Sequence, residues 1–522
     1  MPLYVGFDSS TQSLTATVIR VDGARQEVVY EHVLEFDRHF PDYRTAHGVI
    51  SSGDGTVVAP PLMWADALDR MAETLSRSGL PLGEIRAMSG DGQQHGSVYL
   101  SAGAERVLQT LDPAKPLHGQ LEGIFSRPVS PVWLDCSTTA ECQAITDAVG
   151  GEVALARLTG SRAYERFTAS QIRKFARTEP HAYARTERIH LVSSFMASLL
   201  AGRHAPIEPG DGSGMNLMDL AARQWAPAAV AATAPDLAVK LPPIRDSWSI
   251  AGDLAPYWRT RYGFGPSRVV AWTGDNPSSL IGLGLIAPGQ LAISLGTSDT
   301  VFGPIAEPRH DPEGAGHVFG SPAGGYMALT CFANGSLARE KVRDAHGLDW
   351  TEFSKRLGDT PAGNGGALML PWFVPEITPF VPRPGVRRKG YDAADTERDV
   401  RAIVEAQALA MRLHSRWIAE RVDAIRATGG AAVNREILQI IADVFNADVV
   451  RTTPRNTASL GAALRAFHAD RVASGDPLEW KDVVAGFTEP LEETRVRPNP
   501  ANVAVYAKAL PAYEEFERVE RA

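Results

Sequence analysis

A strand, a hydroxyl-rich loop and a second strand open the chain, and the same pattern returns past its middle. Residues 3–7 are apolar, residues 8–13 are turn-like, and residues 14–19 are rich in β-branched side chains. Residues 291–302 repeat this order around a Gly-Thr-Ser-Asp loop. Turns favour Gly, Ser, Thr and Asp in any fold, so chance similarity stays open. The repeat nevertheless predicts a duplicated architecture in which one such unit opens each half of the chain.

Length and charge narrow the class of protein. With about 150 residues for a typical domain, 522 residues predict three to four domains or two large ones. Hydrophobic residues make up 44% and charged residues 22%, which is typical of a globular chain and not of a disordered one. Lys plus Arg number 52 and Asp plus Glu 61, a net charge of −9 that disfavours nucleic acid and anionic membranes as partners.

Cysteine usage and the amino terminus indicate the cellular compartment in which the protein is found. The three cysteines, Cys136, Cys142 and Cys331, match no zinc or iron–sulfur spacing, and so sparse a set is typical of a reducing compartment. The amino terminus lacks the basic and apolar regions of a signal peptide, and the most apolar later stretch, 191–201, is too short to span a bilayer. We therefore expect a cytoplasmic protein without a membrane partner.

Hydrophobic periodicity predicts alternating helices and strands. Helices are expected over 57–76, 185–200 and 404–423, and strands over 85–89, 269–272 and 425–428, followed by a helix that Asn434 caps. A Pro- and Gly-rich stretch, 241–265, is the best candidate for a domain junction. Mixed elements throughout the chain favour α/β halves, which we divide into an N-terminal domain, 1–255, and a C-terminal domain, 256–522.

Several common catalytic motifs are absent from the sequence. There is no P-loop, no strict G-x-G-x-x-G, no G-x-S-x-G elbow, no H-E-x-x-H helix and no protein-kinase signature set. What remains is a set of glycine- and hydroxyl-rich loops at strand ends with isolated acidic residues beside them. Such loops present backbone amides and short hydroxyls, which are natural partners of phosphate oxygens.

Each of the candidate residues also has an ordinary structural interpretation. Asp8 can hold a hydrated Mg²⁺ beside phosphate, or can close a hairpin as an Asx turn. Asp275 can accept a hydroxyl proton at a strand end, or can cap a helix. His95 is equally consistent with a polar loop residue bonded to backbone. Gly429 and Gly430 can form a helix-entry turn, or can let a flat base approach the backbone.

Eight short motifs, taken in order, resemble the FGGY family of carbohydrate kinases, and within it the xylulose-phosphorylating enzymes of the animal type. They are GFDSSTQ (6–12), GQQHGS (92–97), SPVWLD (130–135), GSRAYERFT (160–168), DGSGMNL (211–217), TGDNP (273–277), SLGTSD (294–299) and TGG (428–430). The resemblance runs from residue 3 to about residue 468. Residues 375–399 and those after about 475 carry no motif.

The resemblance implies an α/β fold of two actin-like ATPase, or ribonuclease H-like, domains with a cleft between them. It implies that ATP and D-xylulose are the small-molecule partners, that Mg²⁺ is required, and that the product is D-xylulose 5-phosphate. It is also compatible with a homodimer.

The family's functional positions carry over onto this sequence residue by residue. Asp275 matches the general base, and the sugar-binding positions are His95, Arg166, Asp275 and Asn276. Asp8 matches the position that organises Mg²⁺. The positions that face the phosphoryl group and the nucleotide are Thr11, Gln12, Gly296, Thr297, Ser298, Trp350, Gly429, Gly430 and Asn434.

Three alternatives remain open from the sequence. Where bacterial members resemble Met-His-Gly, this chain has Gln94-His95-Gly96, while its other sugar-side residues follow the animal type. A sister kinase acting on ribulose, another ketose or a polyol would share the phosphate machinery. An actin-like ATPase without sugar kinase activity would not need His95, Arg166 and Asn276. A sugar sensor without catalysis would not need both Asp8 and Asp275.

Overall fold

A computed structural model describes residues 2–23, 25–452 and 456–521 of the chain. The chain divides into two units, and late segments return to the first of them. The first unit comprises Met1–Ile286, Val318–Tyr326 and Arg455–Thr488. The second comprises Ala287–His317, Met327–Pro454 and Glu489–Ala522.

Strands and helices are interspersed along the described residues. The strands are β1 (Leu3–Ser9), β2 (Ser13–Asp22), β3 (Arg25–Glu35), β4 (Ile50–Ser51), β5 (Val57–Ala59), β6 (Ile85–Gly92), β7 (Ser97–Ser101), β8 (Ser130–Pro131), β9 (Thr186–Leu191), β10 (Met218–Asp219), β11 (Gln224–Trp225), β12 (Ile250–Asp253), β13 (Arg268–Val270), β14 (Thr273–Gly274), β15 (Gln290–Leu295), β16 (Asp299–Ile305), β17 (His317–Gly320), β18 (Tyr326–Phe332), β19 (Leu368–Leu370), β20 (Arg387–Lys389), β21 (Ala424–Thr428), β22 (Asp448–Thr452) and β23 (Pro490–Val496). The α-helices are α1 (Phe36–His39), α2 (Pro61–Ser76), α3 (Ala104–Gln109), α4 (Leu117–Leu121), α5 (Thr139–Val149), α6 (Glu152–Thr159), α7 (Thr168–Thr178), α8 (Pro180–Arg185), α9 (Val192–Ala201), α10 (Pro209–Gly212), α11 (Pro227–Thr233), α12 (Leu237–Lys240), α13 (Pro256–Tyr262), α14 (Asp275–Gly282), α15 (Ser336–Ala345), α16 (Trp350–Asp359), α17 (Thr396–His414), α18 (Arg435–Phe445), α19 (Thr457–Ala473), α20 (Trp480–Val484) and α21 (Pro500–Arg521).

The first unit is built on a mixed sheet in the order β12-β13-β6-β1-β2-β3, and β14 also pairs with β6. Strands β1, β2 and β3 form an antiparallel meander, while β6 and then β13 add in parallel to β1. The edge strand β12 is antiparallel to β13. Parallel neighbours bring β1 and β6 to the same sheet edge at their carboxyl ends.

The second unit repeats this topology. Its strands lie in the order β18-β16-β15-β21-β22-β23. Strand β15 is antiparallel to β16 and parallel to β21, β21 is parallel to β22, and β23 is antiparallel to β22. Strand β15 is thus the counterpart of β1, and β21 the counterpart of β6. The duplicated architecture expected from the two strand–loop–strand segments is confirmed.

Helix α19 belongs to the first unit although it lies far along the chain. It packs against α14, β1 and β6. A Cβ atom built on Gly282 would lie 1.8 Å from the Thr457 carbonyl oxygen, and one on Gly461 would lie 1.9 Å from that of Ser278. Only glycines allow two helices to approach this closely. The helix pair fixes α14, which begins at Asp275.

The sequence-based boundary at residue 255 falls inside the first unit. The Pro- and Gly-rich stretch 241–265 contains the whole of β12 and α13. Strand β12 pairs with β13 and so extends the sheet of the first unit. The stretch expected to join two domains is therefore built into one of them.

Three of the predicted helices begin or end elsewhere. The helix predicted over 185–200 is wrong in its first half, because Thr186–Leu191 is the strand β9 and pairs with β7. An apolar run does not reveal such a partner, since buried strands and helices are equally apolar. Residues 57–59 likewise form β5, and α2 starts at Pro61, where proline suits the first helical turn. Helix α17 ends at His414 and not at residue 423.

The prediction for α18 is confirmed. The Asn434 side chain accepts hydrogen bonds from the backbone amides of Glu436 and Ile437 and so caps the helix. The predicted apolar face is buried along the whole helix: Ile437, Leu438, Ile441, Val444 and Phe445. Local signals were sufficient here because both the cap and the apolar stripe lie within a few residues of one another.

Candidate active site

Two carboxyl groups meet where β1 and β6 end side by side. Asp8 is paired in register with Asp91 on the parallel neighbour, so their side chains share one face of the sheet. Asp91 is fully buried and Asp8 is partly buried. Oδ1 of Asp8 and both carboxyl oxygens of Asp91 accept no hydrogen bond from the described residues. Asp91 was not predicted from the sequence.

Burial controls the protonation of this pair. It raises the pKa of Asp8 to about 6, although the adjacent Asp91 carboxyl acts in the opposite direction. Burial also raises the pKa of Asp91 well above its ordinary value, and the charge of Asp8 adds to that rise. Two buried carboxyl groups that lie side by side are costly to ionise together. The strand ends are therefore suited to hold a proton or a cation between them.

Asp275 lies beside this pair at the first turn of α14. The preceding residues, Thr273 and Gly274, form β14 and pair with Asp91 and Gly92. The Asp275 carboxylate accepts hydrogen bonds from the backbone amide of Asn276 at 2.8 Å and from its Nδ2 at 3.1 Å. Burial, and then the charge of Asp8, raises the pKa of Asp275 to about 7. The structure thus brings together the predicted residues Asp8 and Asp275.

A carboxyl group with this pKa destabilises the folded protein at alkaline pH. Because its folded pKa of about 7 exceeds the ordinary 3.8, the folded state keeps a proton that the unfolded chain has released. Stability therefore falls as the pH rises from about 4 to about 7, and the penalty is complete above that range. We expect Asp275→Asn to raise the melting temperature at pH 8 by about 2 °C or more, and to have a smaller effect at pH 5, where only part of the penalty is present.

This effect is measured by calorimetry of the ligand-free protein at both pH values. Asp42→Asn is the control, because it removes an exposed carboxylate of the same unit. Equal melting temperatures of the wild type and Asp275→Asn at pH 8 would show that Asp275 bears no such penalty.

His95 is buried and is held in one orientation. Its φ of 72° is unusual for a residue other than glycine, and its ring stacks on Phe167 with centroids 4.2 Å apart. A carbonyl oxygen only accepts, so Nδ1–H donates to Gly214 O at 2.7 Å. Burial, followed by the charge of Arg166, lowers the pKa of His95 to about 3. The imidazole is therefore neutral, and its Nε2 is left as a hydrogen-bond acceptor.

The other two predicted sugar-side residues lie near His95. The Arg166 guanidinium is 4.7 Å from the centroid of the Tyr164 ring and 5.6 Å from that of Phe167, the ring on which His95 stacks. Asn276 donates from Nδ2 to Oε1 of Gln94, the residue before His95, at 2.9 Å. The first unit thus places Arg166 beside the ring on which His95 stacks, and joins Asn276 to the residue that precedes His95.

A buried carboxyl group that the sequence did not reveal supports this arrangement. Glu208 Oε2 accepts a hydrogen bond from the Gly210 amide at 2.8 Å and another from the Thr273 hydroxyl. Its Oε1 accepts one from the Ser247 hydroxyl. Glu208 thereby anchors Thr273, two residues before Asp275. No local motif marks such a residue, since its partners come from separate parts of the chain.

Thr11 and Gln12 lie in the turn between β1 and β2, close in sequence to Asp8. The Thr11 hydroxyl accepts a hydrogen bond from Nε1 of Trp133 at 2.8 Å. The carbonyl oxygen of Gln12 accepts one from the Phe36 amide, and its side chain is exposed. Hydrogen bonds from the Phe36 amide and from Trp133 thus hold the turn in place, while the Gln12 side chain remains at its surface.

The second unit contains a cavity of about 870 Å³. Five of the predicted nucleotide-side residues line it: Gly296, Thr297, Trp350, Gly430 and Asn434. Trp350 begins α16 and is 42% exposed, with the Arg343 guanidinium 4.5 Å from its ring centroid. The exposed indole gives the cavity an aromatic wall on which a planar group can stack.

The remaining nucleotide-side residues shape the cavity. Ser298 is exposed in the turn between β15 and β16, directly after Thr297. Gly429 has a φ of 86°, and a Cβ atom there would lie 2.4 Å from the Leu295 carbonyl oxygen. Asn434 caps α18 and donates from Nδ2 to the Ser354 hydroxyl at 2.6 Å, which ties α18 to α16. Asn434 therefore holds the wall of the cavity in place.

Arg339 is a buried lining residue that the sequence analysis missed. Its guanidinium forms a bidentate ion pair with Asp299 at 2.8 and 3.2 Å and donates to Gln407. Asp299 starts β16, directly after the Gly296–Ser298 loop. The pair therefore fixes the loop whose glycine and hydroxyls face the cavity.

The acidic side chains determine whether the protein could hold a divalent cation. Among the residues that the structure describes, His, Cys, Asp and Glu side chains nowhere gather in groups of three that could hold a metal ion. Mg²⁺ in phosphate-transferring sites is usually bound by one or two carboxylates together with substrate phosphates. Asp8 fits such a requirement, because its Oδ1 is buried and without a donor. The same ranges contain no helix that is both long and apolar enough to cross a bilayer.

Comparisons with known proteins agree with this description. The FGGY family of carbohydrate kinases, N-terminal domain, matches residues 127–282, and the C-terminal domain of that family matches residues 291–469. The chain therefore belongs to the FGGY family of carbohydrate kinases. Membership confirms the resemblance, the two-domain actin-like fold class and a kinase activity, for which ATP is the implied phosphoryl donor.

Individual relatives and solved structures give more detail than the family models. The chain is 45% identical to xylulose kinase of Rattus norvegicus, over 98% of this chain and 96% of the relative. It is 43% identical to xylulose kinase 2 of Arabidopsis thaliana, over 89% and 87% of the two chains. In fold it is similar to the crystal structure of xylulose kinase from Rhodospirillum rubrum, with a TM-score of 0.81, 19% identity and coverage of 99% and 98%.

Proposed function

We propose that this protein transfers the γ-phosphoryl group of ATP to the terminal hydroxyl of D-xylulose and forms D-xylulose 5-phosphate. The observation that carries this proposal is the 45% identity to an animal xylulose kinase over nearly the whole of both chains. The geometry around Asp275 supports it, because a carboxyl group with a pKa of about 7 is suited to accept a hydroxyl proton near neutral pH. We include a cytoplasmic location in the proposal, on the basis of the sparse cysteines.

In this proposal the first unit binds the sugar and removes its proton. Asp275 accepts the proton of the terminal hydroxyl as the oxygen attacks phosphorus. His95 Nε2, Arg166 and Asn276 form hydrogen bonds with the other hydroxyls and the carbonyl of the sugar. The sugar is uncharged, so its recognition depends on matched donors and acceptors, and each polar group left unpaired by a wrong epimer costs about 1–3 kcal/mol.

Phosphate and nucleotide contacts are assigned within each unit separately. Thr11 and Gln12 in the first unit, and Gly296, Thr297 and Ser298 in the second, donate hydrogen bonds to phosphate oxygens. Trp350, Gly429, Gly430 and Asn434 form the nucleotide side. Asp8 would hold Mg²⁺, which when bound neutralises phosphate charge. Phosphoryl transfer depends mainly on such positioning and charge stabilisation.

A coupled assay of ADP release across a panel of ketoses and polyols tests the proposal. D-xylulose is expected to give the highest kcat/KM. Preference for ribulose or a polyol would identify a sister kinase. ADP release that does not depend on any sugar would identify an actin-like ATPase, and the absence of turnover with all sugars would identify a sensor. Each of these three results would overturn the proposal.

His95→Ala is expected to raise the KM for D-xylulose by about tenfold or more and to leave the KM for ATP within about twofold. The variant removes an acceptor that only the sugar is proposed to use, and a sugar hydroxyl left unpaired costs about 1–3 kcal/mol. Steady-state kinetics with each substrate varied in turn measures both constants. His118→Ala, which removes a half-exposed histidine of the same unit, is the control. An unchanged sugar KM would contradict the role given to His95.

A further inference from the structure

Asp91 has no part in the roles described so far, although it lies against Asp8. Its side chain is fully buried, and neither carboxyl oxygen accepts a hydrogen bond from the described residues. It occupies the register position directly opposite Asp8 on the parallel strand. A buried carboxyl group with two unsatisfied oxygens is costly unless another group compensates it.

The neighbouring protein groups do not provide that compensation. The buried guanidinium of Arg465 is a cation near Asp91, but it also faces Glu208 and Asp211, and its hydrogen bonds go to the backbone oxygens of Gly90 and Ala271. The hydroxyl of Ser278 lies near Asp91 and acts to lower its pKa, but its one hydrogen is donated to Ala458 O at 2.8 Å. The remaining charged neighbours, Asp8 and Asp275, are carboxyl groups, and both add negative charge. The local charge balance therefore calls for a cation.

We propose that Asp91 is a second protein carboxylate that, together with Asp8, holds the divalent cation of the phosphoryl-transfer site. This inference rests on the proposed function and adds a ligand to it. Mg²⁺ and Mn²⁺ prefer oxygen ligands, and one or two carboxylates beside substrate phosphate are their usual set. Side chains opposite each other on paired strands lie about 5 Å apart at Cβ, a spacing that allows two carboxylates to share one ion.

A different arrangement would satisfy the same pair without a metal. Asp91 could keep its proton and donate it to Asp8 as a carboxyl–carboxylate hydrogen bond. In that case Asp91 would be structural, and its replacement by asparagine would leave metal affinity unchanged. A direct measurement of metal affinity therefore distinguishes the two arrangements, and no measurement of turnover is needed.

The test uses Mn²⁺ as the probe and the full-length protein without nucleotide. Electron paramagnetic resonance of free Mn²⁺ gives its affinity for the wild type and for Asp8→Asn, Asp91→Asn and Asp69→Asn. We expect one Mn²⁺ per wild-type chain, an affinity at least tenfold weaker in Asp8→Asn and in Asp91→Asn, and no change in Asp69→Asn. The melting temperature of Asp91→Asn without metal should not fall, since a buried uncompensated carboxyl group has been removed.

The outcomes separate this inference from the function on which it rests. If Asp91→Asn binds Mn²⁺ like the wild type while Asp8→Asn does not, Asp91 is not a ligand and the role of Asp8 stands. If the wild type binds no Mn²⁺, or all variants bind it equally, both carboxylate assignments are wrong. Sugar-dependent ADP release decides the proposed function independently. Should Asp91→Asn fold poorly, Asp91→Ser, with a smaller side chain, takes its place under the same criteria.

Discussion

Asp275→Ala is expected to lower kcat for D-xylulose phosphorylation by about 10²–10⁴-fold, the range that general-base catalysis usually contributes. The affinities for sugar and ATP should change by less than about threefold. The reason is that the carboxylate acts chiefly on the proton that leaves during transfer, whereas binding is distributed over several groups. Steady-state kinetics, together with calorimetric titration of each ligand, measures both parts of the prediction.

Two variants sharpen this comparison. Asp275→Asn keeps the size of the side chain and an oxygen that can accept from Asn276, but cannot take up a proton, so its kcat should fall into the same range. Asp69→Asn replaces a carboxylate of the same unit that is bonded to two tyrosines, and its kcat should stay near that of the wild type. Near-normal turnover of Asp275→Asn would show that another group, or water, accepts the proton.

The second large effect is expected in the cavity of the second unit. Gly430→Trp should raise the KM for ATP by about tenfold or more, because an indole added at a lining position occupies space that the nucleotide needs. Apart from its two chain neighbours, none of the residues that the structure describes has an atom within 4 Å of a Cβ built on Gly430, so the fold should accept the larger side chain. The KM for sugar should remain within about twofold, because its proposed ligands lie in the first unit.

Gly119→Trp provides the control for this variant. Gly119 also has open space around its Cβ position, lies in the first unit and is not a lining residue of the cavity. Its kinetic constants should match those of the wild type. A Gly430→Trp protein with an unchanged melting temperature and an unchanged KM for ATP would show that the nucleotide does not bind in this cavity.

The sequence was most informative where a signal is local. The turns at residues 10–12 and 296–298 could be recognised, because turn residues follow directly after apolar strands, although the predicted turn over 8–13 included strand residues at both ends. Asn434 could be recognised as a cap because its partners lie two and three residues further on. These same local motifs carried the family resemblance, and hence most of the candidate site residues.

Features that depend on distant pairing could not be predicted in the same way. Asp91 becomes important only because β6 pairs with β1 in a register that sets it against Asp8. Thr186–Leu191 is a strand because β7 lies beside it. Glu208 and Arg339 matter through partners that are remote in sequence. Periodicity and motif spacing contain no information on such partners, so these residues could be identified only from the structure.

The return of α19 to the first unit is a further example. This helix was not predicted from the sequence, and a helical pattern would not tell which sheet it covers. Its place is set by close packing at Gly282 and Gly461 and by its contacts with β1 and β6. A division of the chain at a single residue could not describe this arrangement.

The central claim is that the γ-phosphoryl group of ATP reaches the terminal hydroxyl of D-xylulose. Phosphorus-31 NMR of the wild-type reaction with Mg²⁺ and ATP tests it most directly, because a phosphomonoester at that carbon couples to the two protons of C5. We predict one such signal, growing in step with ADP. A spectrum in which inorganic phosphate alone accumulates, or in which the ester couples to a different carbon's protons, would contradict the account.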